Sequence, residues 1–285
     1  MRTITTISEL RRALAPLREQ GKSIGFVPTM GALHEGHLSL IRMSKKDTDI
    51  TVVSIFVNPT QFGPSEDFEK YPRTMEADAR MLVEEEVEFL FAPTVDQIYP
   101  KGHATSIHLD GITTLFEGAR RPGHFDGVAT VVSILFNIVQ PQTAYFGQKD
   151  AQQLAVIRKL VADLAFPVEI IAGPTIREKD GLALSSRNRY LNANERKEAI
   201  AVSKTLVFLR DDLRSHKNIA TAREAGIVEF NRLAPNGVLD YLEIVDSETF
   251  QPAASFEPRE GTDTTFTIII AANFGATRLI DNIQI

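Results

Sequence analysis

A short apolar run, Ile24 to Val27, ends in Pro28-Thr29-Met30-Gly31 and is followed by a helix-patterned run, Leu38, Leu40 and Ile41, that closes on Ser44-Lys45-Lys46. A buried strand that turns over a glycine into a helix is one half of a βα unit, and the same pattern repeats downstream. Ile50 to Val57 is β-branched and apolar, Met75 to Glu86 carries helical periodicity, and Val87 to Phe91 is apolar again. Gly127 to Val139 reads as a long apolar helix, Thr143 to Gly147 as a strand, Ala151 to Leu164 as a helix and Val168 to Ala172 as a strand. Alternation of this kind predicts a parallel sheet wrapped by helices. The expected fold is α/β, a Rossmann-like doubly wound parallel sheet over residues 1–174, with ligands at the carboxyl ends of the strands.

From about Pro174 the pattern changes. Helical segments at Ala193 to Arg214 and Ala220 to Leu233 lead into strand-like Leu239 to Val245, Thr264 to Ala271 and Thr277 to Ile285. Helices followed by antiparallel-type strands suggest a smaller α+β C-terminal domain over 175–285, placed to act as a lid, with Gly173-Pro174 as either a hinge or only a turn. A chain of 285 residues, 43% hydrophobic and 24% charged, can bury a core for both.

A net charge of −6 argues against a general nucleic-acid or acidic-membrane surface, so an anionic ligand has to be drawn in by local cations. The absence of cysteine excludes disulfides, thiolate catalysis and thiolate metal sites. Met1 to Leu14 mixes Arg and Glu with apolar residues and carries no signal-peptide core, and no apolar stretch reaches the ~18 residues of a membrane helix. No nucleic-acid partner and no membrane are expected, and the cytoplasm is the expected compartment.

Three loops fall at strand ends. The first, Met30-Gly31-Ala32-Leu33-His34-Glu35-Gly36-His37, opens a helix on two histidines three apart, which point to one side if both lie near the first turn. Free backbone N–H groups and the positive end of the helix dipole then face an anion, and two imidazoles beside them can stabilise charge that builds during attack on a phosphate. The same histidines could instead clamp a metal or stand as plain surface residues. A catalytic zinc usually takes three protein ligands, and His-Glu-Gly-His lacks the His-Glu-x-x-His spacing of a zinc protease helix.

The second loop, Asn58-Pro59-Thr60-Gln61, carries amides that both donate and accept, as does Gln153, which suits a small acid bearing hydroxyls. In the third, Gly147-Gln148-Lys149-Asp150, the lysine brings a compact charge to a phosphate and Asp150 can cap the following helix. Beyond the last sheet strand, Ser185-Ser186-Arg187-Asn188 offers hydroxyl donors and a guanidinium that binds phosphate oxygens bidentately. The segment Phe116 to Asp126, with Arg120, Arg121 and His124, gathers cations before the buried helix, or is a solvated loop in which Asp126 caps that helix.

His-x-Gly-His after a strand resembles the signature of the nucleotidyltransferase superfamily that includes class I aminoacyl-tRNA synthetases. Together with Pro28-Thr29-Met30-Gly31, Phe56-Val57-Asn58-Pro59-Thr60-Gln61-Phe62, Arg121-Pro122-Gly123-His124-Phe125, Phe146-Gly147-Gln148-Lys149-Asp150 and Ser185-Ser186-Arg187-Asn188, it resembles the pantothenate synthetase family over nearly the whole chain.

That resemblance implies ATP-dependent condensation of pantoate with β-alanine, releasing AMP and pyrophosphate, by a cytoplasmic homodimer that requires Mg2+. It also implies catalytic roles for His37, as proton donor, His34 and Lys149. ATP contacts are implied for Met30 to His37, Gly147 to Asp150, Ile176, Leu184, Ser185, Ser186 and Arg187, and substrate contacts for Gln61, with pantoate and β-alanine, and Gln153, with pantoate. Gln148 stands where the family usually has Glu, and Leu184 where it usually has Met. Asp78, after Tyr71-Pro72-Arg73, matches a position in the family's magnesium neighbourhood, although the sequence itself names no metal ligands. Two rivals stay open: a transferase of the same superfamily that moves a nucleotidyl group onto a phosphate, and a non-catalytic nucleotide-binding protein.

Overall fold

The computed structural model describes residues 1–64, 68–216, 218–256 and 265–285. The chain forms two compact units, one of Met1–Gln148 with Val156–Pro174 and one of Lys149–Ala155 with Thr175–Ile285.

In the first unit a six-stranded sheet is built from β1 (Arg2–Ile4), β2 (Ile24–Thr29), β3 (Ile50–Ile55), β4 (Phe89–Phe91), β5 (Thr143–Gly147) and β6 (Glu169–Gly173). The spatial order is β1-β4-β3-β2-β5-β6 and every pair is parallel. The helices are α1 (Ile7–Glu19), α2 (Glu35–Asp47), α3 (Met75–Glu84), α4 (Val95–Ile98), α5 (Phe116–Arg120), α6 (His124–Val139) and α7 (Ala151–Asp163), whose first residues belong to the second unit. The doubly wound sheet is as expected, with additions: the short helices α4 and α5, and an edge unit at the start of the chain. β1 and α1 form an edge strand and a flanking helix from the mixed Arg/Glu segment, where three strand residues are too few to show a period.

The inner strands are apolar on both faces, and Phe26, Val27, Val52, Val53, Leu90 and Phe91 are all fully buried. Helix α6 is buried on nearly every side, which explains its lack of a polar stripe. Its last carbonyls are taken up by α1, where Arg11 donates to Asn137 O at 3.3 Å and Arg18 to Val139 O.

The chain winds outward through β3 and β4 on one side of β2 and through β5 and β6 on the other, so the order reverses between β2 and β5. These two strands pair at Gly25–Thr143 and Phe26–Ala144. Beyond that register β2 runs on to Thr29 and β5 to Gly147 without a further ladder pair among the described residues. The carboxyl ends therefore part at the switch point, where an open α/β sheet binds its ligands.

The second unit holds an antiparallel sheet, β7 (Val238–Asp246), β8 (Phe266–Phe274) and β9 (Thr277–Gln284), with helices α8 (Ala193–Glu198), α9 (Ile200–His216) and α10 (Ile219–Leu233). Leu206, Leu209 and Phe230 from the helices pack with Ile268, Ile270 and Phe274 from the sheet. The segment read as one helix from Ala193 to Arg214 is two. At the break, Val202 N donates three residues back to Ala199 O at 3.2 Å, which tightens the turn. Thr264, read as the start of a strand, lies outside the described residues.

Candidate active site

The loop after β2 is shaped by a buried carboxylate. Gly31 and Ala32 both take positive φ, 82° and 50°, and the reversed backbone aims two N–H groups inward. Asp78, on α3 and 1% exposed, accepts them: Ala32 N reaches Oδ2 and Leu33 N reaches Oδ1, each at 2.9 Å. Thr74 Oγ1 donates to both oxygens at 3.2 Å. Asp78 is thus a brace for the turn, and its engaged, buried oxygens do not suit the magnesium neighbourhood that the resemblance gave it. Ala32 and Leu33 are themselves buried and spend their N–H groups on this brace.

Both histidines lie at the start of α2, His34 as its N-cap and His37 at the third helical position, and they cap the helix reciprocally. Gly36 N donates to His34 Nδ1 at 3.2 Å, and His34 N donates to His37 Nδ1 at 3.3 Å, with the ring centroids 4.1 Å apart. A Cβ on Gly36 would stand 2.9 Å from the His34 ring, so glycine is what lets the imidazole fold over the helix end.

Free N–H groups expected at this helix start are therefore partly consumed by the rings. The consequence is chemical: with each Nδ1 accepting from the backbone, Nε2 carries the ring hydrogen. Nε2–H is thus the donor end of each imidazole at this helix start. Glu35, by contrast, is exposed and pairs with Arg42, which also holds Glu85 on the chain between α3 and β4.

The loop after β3 meets this turn. Gln61, 7% exposed, directs Nε2 at Met30 Sδ, 3.0 Å away. Its main-chain oxygen lies 2.8 Å from His124 Nδ1 and accepts from Arg121 Nη2 at 3.4 Å, which gives the Arg-Pro-Gly-His segment a supporting job. Asn58 is 1% exposed and uses its side chain on protein groups, which makes it a support for Gln61 rather than an open substrate contact.

In the second unit Lys149 closes a single 3-10 turn, Gln148–Asp150, ahead of α7. Its Nζ lies 3.1 Å from Asp150 Oδ1, and its main-chain oxygen accepts from Asn282 Nδ2 of β9 at 2.8 Å. The neighbouring Asp281 is buried and bound bidentately by Arg177, at 2.6 and 3.0 Å. Burial pushes the Asp281 carboxyl above the ordinary aspartate value, against the pull of Arg177.

Arg177 pairs with Ala183 across a short antiparallel bridge, where Leu184 N donates to Ile176 O at 2.9 Å, so two residues of the expected ATP set stand opposite each other. Ser185 then caps the 3-10 turn that carries Ser186 and Arg187, accepting from Arg187 N at 3.3 Å. Gln153 is half-buried in the first turn of α7. Sequence reasoning missed Arg177, Asp281 and Asn282 because they act through ion pairs and a backbone carbonyl more than a hundred residues away.

Among the described residues no cluster of three or more His, Cys, Asp or Glu forms a metal cage. Magnesium in nucleotide sites is held largely by phosphate oxygens and water, which asks little of the protein.

Donor groups gathered at the switch point of a doubly wound sheet define a nucleotide-handling α/β enzyme. The family model described as pantoate-beta-alanine ligase matches residues 2–284. Similar proteins include pantothenate synthetases of Acetivibrio thermocellus, 48% identical over 99% of both chains, and of Thermus thermophilus, 49% identical over 100% of this chain and 99% of the relative. A crystal structure of the Thermus thermophilus enzyme superposes with a TM-score of 0.91 over 99% of both chains, at 48% identity. That of a Francisella tularensis pantoate-beta-alanine ligase, complexed with beta-gamma ATP and β-alanine, gives 0.80 over 99% of this chain and 97% of its own, at 35% identity. The chain belongs to the pantoate–β-alanine ligase family.

Proposed function

We propose that this chain joins (R)-pantoate to β-alanine using ATP, releasing AMP and diphosphate through a pantoyl adenylate. The observation that carries the reading is the pair of imidazoles capping the start of α2, at the carboxyl end of β2, each held through Nδ1 by a backbone N–H.

A carboxylate resists attack by an amine because it is anionic and resonance-stabilised. In the first step a pantoate carboxylate oxygen attacks the α-phosphorus, the bond to the bridging oxygen breaks, and diphosphate leaves. Negative charge grows on the phosphoryl oxygens, and the resemblance gives His34, His37, Lys149 and Arg187 the task of stabilising it. The resemblance gives His37 the role of proton donor, which with Nδ1 occupied by His34 N means lending its Nε2–H to the developing charge without giving the proton up. In the second step the β-alanine amine attacks the acyl carbon, the bond from that carbon to the phosphate oxygen breaks, AMP departs, and the proton lost from nitrogen passes to water. Gln61 holds the reacting acid through its amide and Gln153 contacts pantoate. Ile176, Leu184, Ser185, Ser186 and the Gly147 to Asp150 turn bind the nucleotide.

Magnesium would accompany ATP as the counter-ion of its phosphates. The resemblance further supports a homodimer acting in the cytoplasm, and no described helix is long and apolar enough to cross a membrane. The reading is tested by incubating the protein with ATP, magnesium, pantoate and β-alanine, omitting each in turn, with mass detection of products. AMP and pantothenate should form together only in the complete mixture. AMP transfer to a phosphate acceptor, or ATP binding without turnover, would overturn it.

A further inference from the structure

A glutamine amide has a donor end and an acceptor end of the same shape, so the residue alone does not decide what it offers a ligand. At Gln61 the surroundings decide. Asn58 Oδ1 accepts from Thr60 N at 3.3 Å, from Thr60 Oγ1 at 3.0 Å and from Tyr99 OH at 2.8 Å. Asn58 Nδ2 donates to Gly127 O and to Gln61 Oε1, both at 3.1 Å. A backbone N–H only donates and a backbone carbonyl only accepts, so the Asn58 amide has one orientation. Gln61 Oε1 is then taken, and Nε2 is the end left to the site. Its partner there is the Met30 thioether, a weak acceptor that a ligand oxygen outcompetes.

We propose that Tyr99 is a positioning residue for the substrate acid, holding a Tyr99–Asn58–Gln61 amide relay that presents the Gln61 Nε2 hydrogens to a substrate oxygen. Tyr99 makes the shortest of the three bonds to Asn58 Oδ1 and comes from a different part of the chain, just after α4 at the carboxyl end of β4. Its ring is half-buried between Phe56 and His103, with centroids at 6.3 and 5.1 Å. Burial raises the phenol above its ordinary pKa, which keeps it a donor. With Tyr99, three successive strand-end loops, after β2, β3 and β4, act on one amide.

The assignment rests on the reading that Gln61 holds the substrate acid. Tyr99→Phe keeps the ring and removes only the hydroxyl. In the purified full-length enzyme it should lower kcat/KM for pantoate about fivefold to tenfold, with the KM for ATP unchanged. In a Gln61→Ala background the same change should have no further effect, because the relay then has nothing to orient. An unchanged kcat/KM for pantoate in Tyr99→Phe, or an equal loss in both backgrounds, overturns the positioning role alone. A wild-type enzyme that forms no pantothenate overturns the ligase reading itself, and that result precedes any variant.

Discussion

Of the groups proposed to meet the substrates, those of the first unit are imidazoles and an amide, whereas those of the second are a lysine and an arginine. The difference explains their supports. An imidazole or an amide has two unlike ends, so it is useful only when a buried partner fixes which end faces the ligand. Backbone N–H groups do this for His34 and His37, and Asn58 does it for Gln61. Lysine and arginine donate in any rotation, and they need only reach. Lys149 and Arg187 accordingly sit on one-turn elements whose main chain is fastened, Lys149 O by Asn282 and Arg187 N by the Ser185 cap.

The comparison is sharpened most by removing one donor of each kind. His37→Ala and Lys149→Ala should each stay folded by circular dichroism yet lose pantoate-dependent diphosphate release by about two orders of magnitude or more, the cost of one transition-state donor. Near-normal release from either variant would strike that residue from the mechanism.

Supports in the second unit should act on stability instead. Arg177→Met leaves Asp281 buried without its partner and should lower unfolding free energy by about 3 kcal/mol, measured by denaturant titration. Because the Asp281 carboxyl is raised in the fold, its favourable contribution is present below the unfolded value and is lost as pH rises through the folded one. The deficit of the variant should therefore shrink as pH falls toward about 4.

Supports in the first unit should act on turnover. A Cβ on Gly127 would stand 2.4 Å from Thr60 O, a backbone atom that must then shift with the loop carrying Asn58 and Gln61. Gly127→Ala should reduce kcat about tenfold or more with ATP binding retained, as expected for a misplaced contact. Equal losses in ATP and pantoate binding would break the distinction between the units.

The smallest effect lies at an exposed pair. His108 Nδ1 lies 2.9 Å from Asp126 Oδ2, and that bond raises the histidine above its ordinary value. A raised group stabilises the fold below the unfolded value, about 6.5, and loses this as pH rises through the folded one. His108→Gln should melt slightly below wild type under mildly acidic conditions, with the gap closing under alkaline ones.

Much of this architecture is legible in the sequence because the βα alternation carries its own period: β2 through β6 and the helices α2, α3, α6 and α7 follow from apolar runs and turns, whereas α4 and α5, at four and five residues, are too short to show one. The edge strand Arg2–Ile4 does not, being short and largely exposed. At the site, the histidine pair, Gln61 and Lys149 stand out by residue type and by their place at strand ends. What stays hidden is the bracing. Asp78, Tyr99 and Asn282 each fasten a loop 40 or more residues away, and no local pattern marks a side chain whose partner is a distant backbone or amide.

The central claim is that the pantoate carboxylate attacks the α-phosphorus of ATP. Supplying pantoate labelled with oxygen-18 in its carboxylate, together with ATP and β-alanine, tests it directly by mass spectrometry of the products. One labelled oxygen should appear in AMP and none in diphosphate. Label in inorganic phosphate with ADP as the nucleotide product, or unlabelled AMP formed alongside pantothenate, would contradict the account.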